Sequence, residues 1–227
     1  IMRTFYFGVL FSVLYSCSAA DSDLSHPYSE YFYNYDTVPI VYRYRDIVHG
    51  LNEQFHRVYG IEDSEGKHIV VERYVQDGRL TEAYNFNLDS LNVMDHMVVN
   101  ALGENEKATL YKDQLLPRVK GEVVKFTSKF SGVTDSTVFL MEVNRELSDL
   151  KIRKVLSDSS ECITLEESAI YTLLNPFTKQ ESQQRLETVN YFAKGLGLVE
   201  WHDAKQRSHF QLEELLSQEK WIKLISE

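Results

Sequence analysis

The sequence predicts an α+β fold in which helices alternate with β-hairpins, and three observations carry that expectation. Two strand-like runs, residues 68–75 and 80–86, flank Gln76-Asp77-Gly78-Arg79, and Asp-Gly readily takes the positive φ of a tight turn. Several other stretches repeat apolar residues at three-and-four spacing, as amphipathic helices do. Thr164-Leu165-Glu166-Glu167 and Thr178-Lys179-Gln180-Glu181 match the capping box, in which a hydroxyl and a carboxylate satisfy the free amides of a helix start.

Composition narrows the classes. The chain has 227 residues with 34 acidic and 24 basic side chains, a formal net charge of -10, which argues against a generic nucleic-acid coat. Hydrophobic residues at 43% and charged ones at 26% are a globular mixture, and 4 Pro with 10 Gly exclude bulk disorder and collagen-like repeats. Such a length holds one large domain or two small ones.

The N-terminus has the three-part layout of a secretory signal peptide over residues 1–20. Arg3 supplies positive charge, Phe5 to Tyr15 is a run of 11 mostly apolar residues, and Ser16-Cys17-Ser18-Ala19-Ala20 ends it with small side chains. A spanning helix needs about 20 apolar residues, so cleavage after Ala19 or Ala20 and export to the secretory lumen or beyond are expected, without a transmembrane segment. A loose likeness of Leu14-Tyr15-Ser16-Cys17 to a lipoprotein box keeps lipid anchoring as an alternative, and Ile1 before Met2 suggests an upstream extension. The mature chain then keeps only Cys162, which cannot form an intramolecular disulfide and whose apolar surroundings point to burial.

Residues 21–45 form a Tyr-rich extended arm. Tyr joins a large apolar body to a polar tip, which suits an arm packed on its own domain or a partner-binding strip. Tyr31, Tyr33 and Tyr35 are the candidate contacts for a protein partner.

The region 46–144 is expected to be mixed. Apolar residues at 47, 48, 51, 55 and 58 predict a helix over 46–58, followed by the 68–86 hairpin and by a helix from Asp89 to Leu102 closing at Gly103. A charged helix from Glu106 to about Leu116 comes next. Residues 124–130 alternate as a half-exposed strand, 131–136 turn, and 137–143 return.

The last region, 145–227, reads as a helix over 146–156, a short strand at 162–165, helices over 168–174 and 181–194, a hairpin of 198–201 with 209–212, and a helix over 213–225. This order, with Ile163-Thr164-Leu165-Glu166-Glu167, Gly197-Leu198-Val199 and a loop holding Lys205 and Arg207, resembles the winged helix-turn-helix superfamily over about residues 145–215. In members that bind DNA, the third helix enters the major groove and the wing touches the backbone. Residues 145–227 hold 11 basic and 14 acidic side chains, a poor surface for a polyanion, so protein contact through Trp201, Lys205 and Arg207 is the expectation and nucleic-acid binding the alternative.

Enzyme signatures are missing: there is no G-x-S-x-G, P-loop, zincin helix or paired Cys-x-x-Cys. Asp95 and His96 would point about 100° apart on a helix, so they make a poor acid-base pair. His49, Glu53 and His56 could share a helical stripe, but their spacing is not that of a zinc helix, and a solvated edge is the simpler expectation. No catalytic residue, cofactor or metal is assigned. The expected function is non-covalent protein binding by an exported protein, with an unrecognised hydrolase as a further alternative.

Overall fold

The computed structural model describes residues 25–50, 52–100, 102–132 and 137–226. The expected leader, the first residues of the arm and most of the 131–136 turn lie outside these residues. What is described is nearly all sheet. Its strands are β1 (Ile40–Asp46), β2 (Glu53–Asp63), β3 (Gly66–Val75), β4 (Leu80–Asn87), β5 (Val93–Val99), β6 (Asn105–Lys107), β7 (Thr109–Asp113), β8 (Val123–Ser131), β9 (Val138–Val155), β10 (Asp158–Asn175), β11 (Gln180–Ala193), β12 (Gly197–Asp203) and β13 (His209–Ser217), followed by helix α1 (Gln218–Ile225).

All pairings are antiparallel, in the order β6-β5-β4-β3-β2-β1-β13-β12-β11-β10-β9-β8-β7. The two ends of this order meet. β6 pairs with β5 and β7 pairs with β8, while only Ala108 separates β6 from β7 in the chain. One bent strand therefore spans the seam, helped by the Ala108 amide, which donates to the His96 carbonyl (2.8 Å), and by an isolated bridge between Asn92 and Gln114. Counting β6 and β7 as one leaves an even number of positions round the ring, which a closed antiparallel barrel requires.

Side chains alternate between the interior and the outer wall. On β8, Val124, Phe126 and Ser128 are buried while Lys125 and Lys129 are exposed; on β9, Met141, Val143 and Leu147 are buried while Glu142 and Glu146 are exposed. A charged outer wall is the reverse of the apolar band that a barrel in lipid presents. Among the described residues no helix is long and apolar enough to cross a membrane.

One end of the barrel is plugged by the N-terminal segment. His26, Tyr31, Phe32 and Tyr33 are buried there, and Tyr33 bridges to Leu196. Gly197 makes the plug possible: its φ is +70, and a Cβ would lie 2.5 Å from the Tyr33 ring. Outside the barrel, α1 lays Trp221 against Tyr74 and Phe55, so β1 to β3 are covered on both faces. Ser217 caps this helix by accepting from the Lys220 amide.

These observations correct the expected α+β class and the winged-helix likeness. The described residues of 46–58, 89–102, 106–116, 146–156, 168–174 and 181–194 are in strands and turns where helices are expected, and position 145 lies inside β9. Two physical effects explain the misreading. Val41 and Phe55 face α1 while Tyr42, Tyr44 and His56 face the interior, so burial on both faces erases the two-residue alternation. Bulges at Arg43/Tyr44, Arg73/Tyr74, Asn85/Phe86, Ile163/Leu165 and Tyr191/Phe192 shift the phase and mimic three-and-four spacing. The apparent capping boxes have other partners: Glu167 accepts from Arg145, and Thr178 lies in the turn between β10 and β11. The hairpins at 68–86, 124–143 and 198–212 form as the sequence indicates, and the C-terminal helix begins five residues later than expected.

Candidate functional site

The end of the barrel opposite the plug holds a cavity of about 410 Å³. Antiparallel register places its mouth. Gly60 pairs with Ile69 near the plugged end, whereas Gln54 pairs with Val75 at the other, and Gln54, Val75 and Thr81 all line the cavity. The sequence presents its wall residues by simple alternation: Ile69, Val71 and Arg73 share one face of β3, and Tyr84 and Phe86 share one face of β4 with Glu82.

Two ion pairs line the cavity. On β3 and β4, Arg73 Nη1 donates to Glu82 Oε1 (2.7 Å) across a direct cross-strand pair. On β9 and β10, Arg145 Nε donates to Glu167 Oε2 (2.7 Å), again directly cross-strand. The Arg73 and Glu82 side chains keep 39% and 24% of their surface, and because both line the cavity that surface faces the interior space. Burial alone would raise the Glu82 carboxyl, but the Arg73 charge and the His96 and Tyr84 hydrogen bonds outweigh it and hold the group well below the carboxylate range. Burial would lower Arg73, and Glu82 reverses that effect.

His56, 2% exposed, stands between Tyr44 (ring centroids 4.6 Å apart) and Trp201 (5.7 Å, stacked). Neither ring nitrogen has a hydrogen-bond partner, and both are enclosed. Burial first, then the Arg73 charge, hold its pKa well below the ordinary value, so the ring is neutral at physiological pH.

A Ser–His–Glu chain also runs into the wall. His96 Nδ1 lies 2.7 Å from Ser128 Oγ, and Nε2 lies 3.3 Å from Glu82 Oε2. Because the carboxylate only accepts, Nε2 carries a proton and donates to Glu82, and Nδ1 shares the other hydrogen bond with the serine hydroxyl. This resembles a hydrolytic triad in its order of groups, yet Ser128 is 0% and His96 1% exposed, and neither lines the cavity. β8 is paired on both sides, so its amides are committed to ladders and supply no oxyanion hole. The chain is a satisfied buried network that fixes Glu82 against β8.

The six candidate residues are sent to three places. Tyr31 (4% exposed) donates to Glu161, and Tyr33 (5%) packs on Gly197, both in the plug; Tyr35 is half-buried against Gly60. Trp201 lines the cavity, its ring stacked between His56 and Phe210. Lys205 and Arg207 are exposed in the turn between β12 and β13, where Arg207 Nε pairs with Asp203 (2.9 Å). The His49, Glu53 and His56 trio is dispersed: His49 bonds to Asp46, Glu53 to Arg43, and His56 faces inward. Asp95 and His96 point to opposite faces of β5, with Asp95 paired to Lys107 outside. Cys162 is 0% exposed and burial pushes its thiol up to about 11.

The cavity residues Arg73, Glu82, Arg145 and Glu167 are not picked out by the sequence analysis. One signal for Glu82 is present, a charge sharing a hairpin face with Tyr84 and Phe86. For Arg145 and Glu167 no local signal exists: Arg145 falls between the expected strand 137–143 and the expected helix 146–156, and Glu167 falls in an apparent capping box ahead of the expected helix 168–174.

No protein-family model and no curated protein matches the sequence. Solved structures do match by shape. A Parabacteroides distasonis protein provisionally named a lipoprotein superposes with a TM-score of 0.50 at 11% identity, covering 82% of this chain and 98% of its own. A Bacteroides fragilis protein provisionally named an exported protein with a YmcC-like fold gives a TM-score of 0.41 at 13% identity with the same coverage. The Parabacteroides likeness establishes a shared fold, and a nearly closed sheet of this kind leaves no place for a winged helix-turn-helix.

Proposed function

We propose that this protein is an exported, non-covalent binding protein whose ligand is a small organic molecule held in the barrel. The observation that carries this reading is the cavity of about 410 Å³, within the range of small-molecule sites, lined by two ion pairs and an apolar wall that includes Met141 and Val143. Export is supported by the leader pattern of residues 1–20 and by the name of the Parabacteroides structural neighbour, provisionally a lipoprotein. Of the six candidate contact residues from the sequence, Trp201 lines this space. Lys205 and Arg207 are the candidates accessible to a protein partner.

The test is a thermal-shift screen of the purified full chain against a panel of amino acids, short peptides, organic acids, amines and polyols, repeated on Leu186→Trp, which fills the mouth. Ligands that raise Tm in the natural sequence and not in the variant support the reading. A panel with no stabilising member, or stabilisation unchanged by Leu186→Trp, overturns it.

A further inference from the structure

The charges in the cavity are arranged in a way that narrows the ligand. In the ring order, three positions separate β4 from β9 on one side and five separate β3 from β10 on the other, so the Arg73–Glu82 and Arg145–Glu167 pairs stand on facing walls. Both line the same cavity, and the Tyr171 phenol between them feels all four charges: burial raises its pKa most, Glu82 and Glu167 add to the rise, and Arg73 and Arg145 oppose it.

The four groups sum to zero charge. A singly charged ligand would therefore bring an uncompensated charge into a low-dielectric space, which is costly. Capacity is nevertheless left over on each wall. Glu82 accepts from Arg73, Tyr84 and His96, whereas the Arg73 Nη2 makes no hydrogen bond and is not enclosed. On the facing wall Arg145 occupies one oxygen of Glu167 and keeps its own Nη2 open, while Glu167 Oε1 makes no hydrogen bond and is not enclosed. Both walls thus offer a cationic donor, but the open anionic acceptor is on the Glu167 wall alone, so a ligand ammonium goes there and a carboxylate held away from it meets Arg73. The aromatic faces offer little, because Trp201 is stacked between His56 and Phe210, and Tyr84 between His96 and Phe86.

We infer that the cavity, of about 410 Å³, takes a net-neutral zwitterion whose charges are held apart, a short peptide, with its carboxylate at Arg73 and its ammonium at Glu167. Neutral amides between the two ends suit the uncharged polar wall of Gln54, Thr188 and Asn190. This rests on the binding reading above.

Isothermal titration of the full chain with trialanine, N-acetyl-trialanine, trialanine amide and alanine tests it. Trialanine should bind about tenfold more tightly than each of the other three, a difference of about 1.4 kcal/mol. Glu167→Gln should abolish the preference over the N-acetyl form, and Arg73→Gln with Glu82→Gln, which together leave no unpaired charge, should abolish the preference over the amide. Circular dichroism establishes that the variants fold. A blocked form binding as tightly as trialanine, or both preferences surviving in the variants, overturns the inference. Absent trialanine binding while another panel member binds in the cavity removes the peptide and leaves the binding reading intact; absence of every ligand removes both.

Discussion

Replacing His56 with Phe should make this protein more stable, and the gain should grow in acid. Both ring nitrogens are enclosed without a partner, and an unsatisfied buried polar group costs about 1–3 kcal/mol. Phe keeps a flat ring between Tyr44 and Trp201 while removing that cost. The pH dependence follows from the direction of the shift. His56 is held far below its ordinary value of 6.5 in the fold, so as pH falls through that value the unfolded chain takes up a proton that the folded chain does not. Stability from this residue is therefore present above about pH 6.5 and lost below it, by about 1.4 kcal/mol between about pH 7.5 and about pH 5.5. Burial also lowers His26, but that contribution is common to both proteins and cancels in the difference. Urea unfolding followed by circular dichroism at the two pH values measures the effect. A variant less stable than the natural sequence at the higher pH, or one with the same pH dependence, would refute the reasoning, since either result requires His56 to have a partner or a proton.

Three other substitutions or treatments probe separate parts of the molecule. Gly197→Ala places a Cβ 2.5 Å from the Tyr33 ring at a φ of +70, so left-handed strain and overpacking together should cost about 2–5 kcal/mol, measured as a lower urea midpoint. Ser128→Ala leaves His96 Nδ1 unpaired in a buried site and should cost about 1–3 kcal/mol while leaving ligand stabilisation unchanged; lost binding with intact stability would instead give Ser128 a role at the cavity. Cys162, enclosed and with its thiol pushed up to about 11, should resist a thiol reagent in the folded protein and react on unfolding, and rapid labelling of the native chain would contradict its burial.

Part of the fold is legible in the residues. Asp77-Gly78 marks the β3–β4 turn because Gly78 adopts a φ of +77, and the alternation of Val124, Phe126, Ser128 and Phe130 marks β8 because only one of its faces is buried. Cys162 is correctly read as buried from its apolar neighbours. The helix over 46–58 is the instructive failure: Phe55 and His56 are adjacent and both buried, one beneath α1 and the other in the barrel, a pattern that looks helical until the second covering layer is known. The winged-helix likeness fails for a related reason, since its order of elements depends on helices at 168–174 and 181–194 that are halves of the long β10–β11 hairpin.

The candidate site is less legible still. Glu82 and Arg73 carry a local sign, as opposite charges on a hairpin face shared with Ile69, Val71, Tyr84 and Phe86. Arg73 and Glu82 are joined by a turn, and Arg145 and Glu167 by another, so each pair has a local cause. Their meeting has none.

The sequence alone determined the Asp77-Gly78 turn, the net charge and the burial of Cys162, because each depends on residue type or on neighbours a few positions away. Only the tertiary structure decided that nearly every described segment is a strand, that the ends of the sheet meet at Ala108, and that two ion pairs face each other inside. Those outcomes come from pairing between residues far apart in the chain and from burial on two faces at once, and neither leaves a periodic trace in any short window of residues.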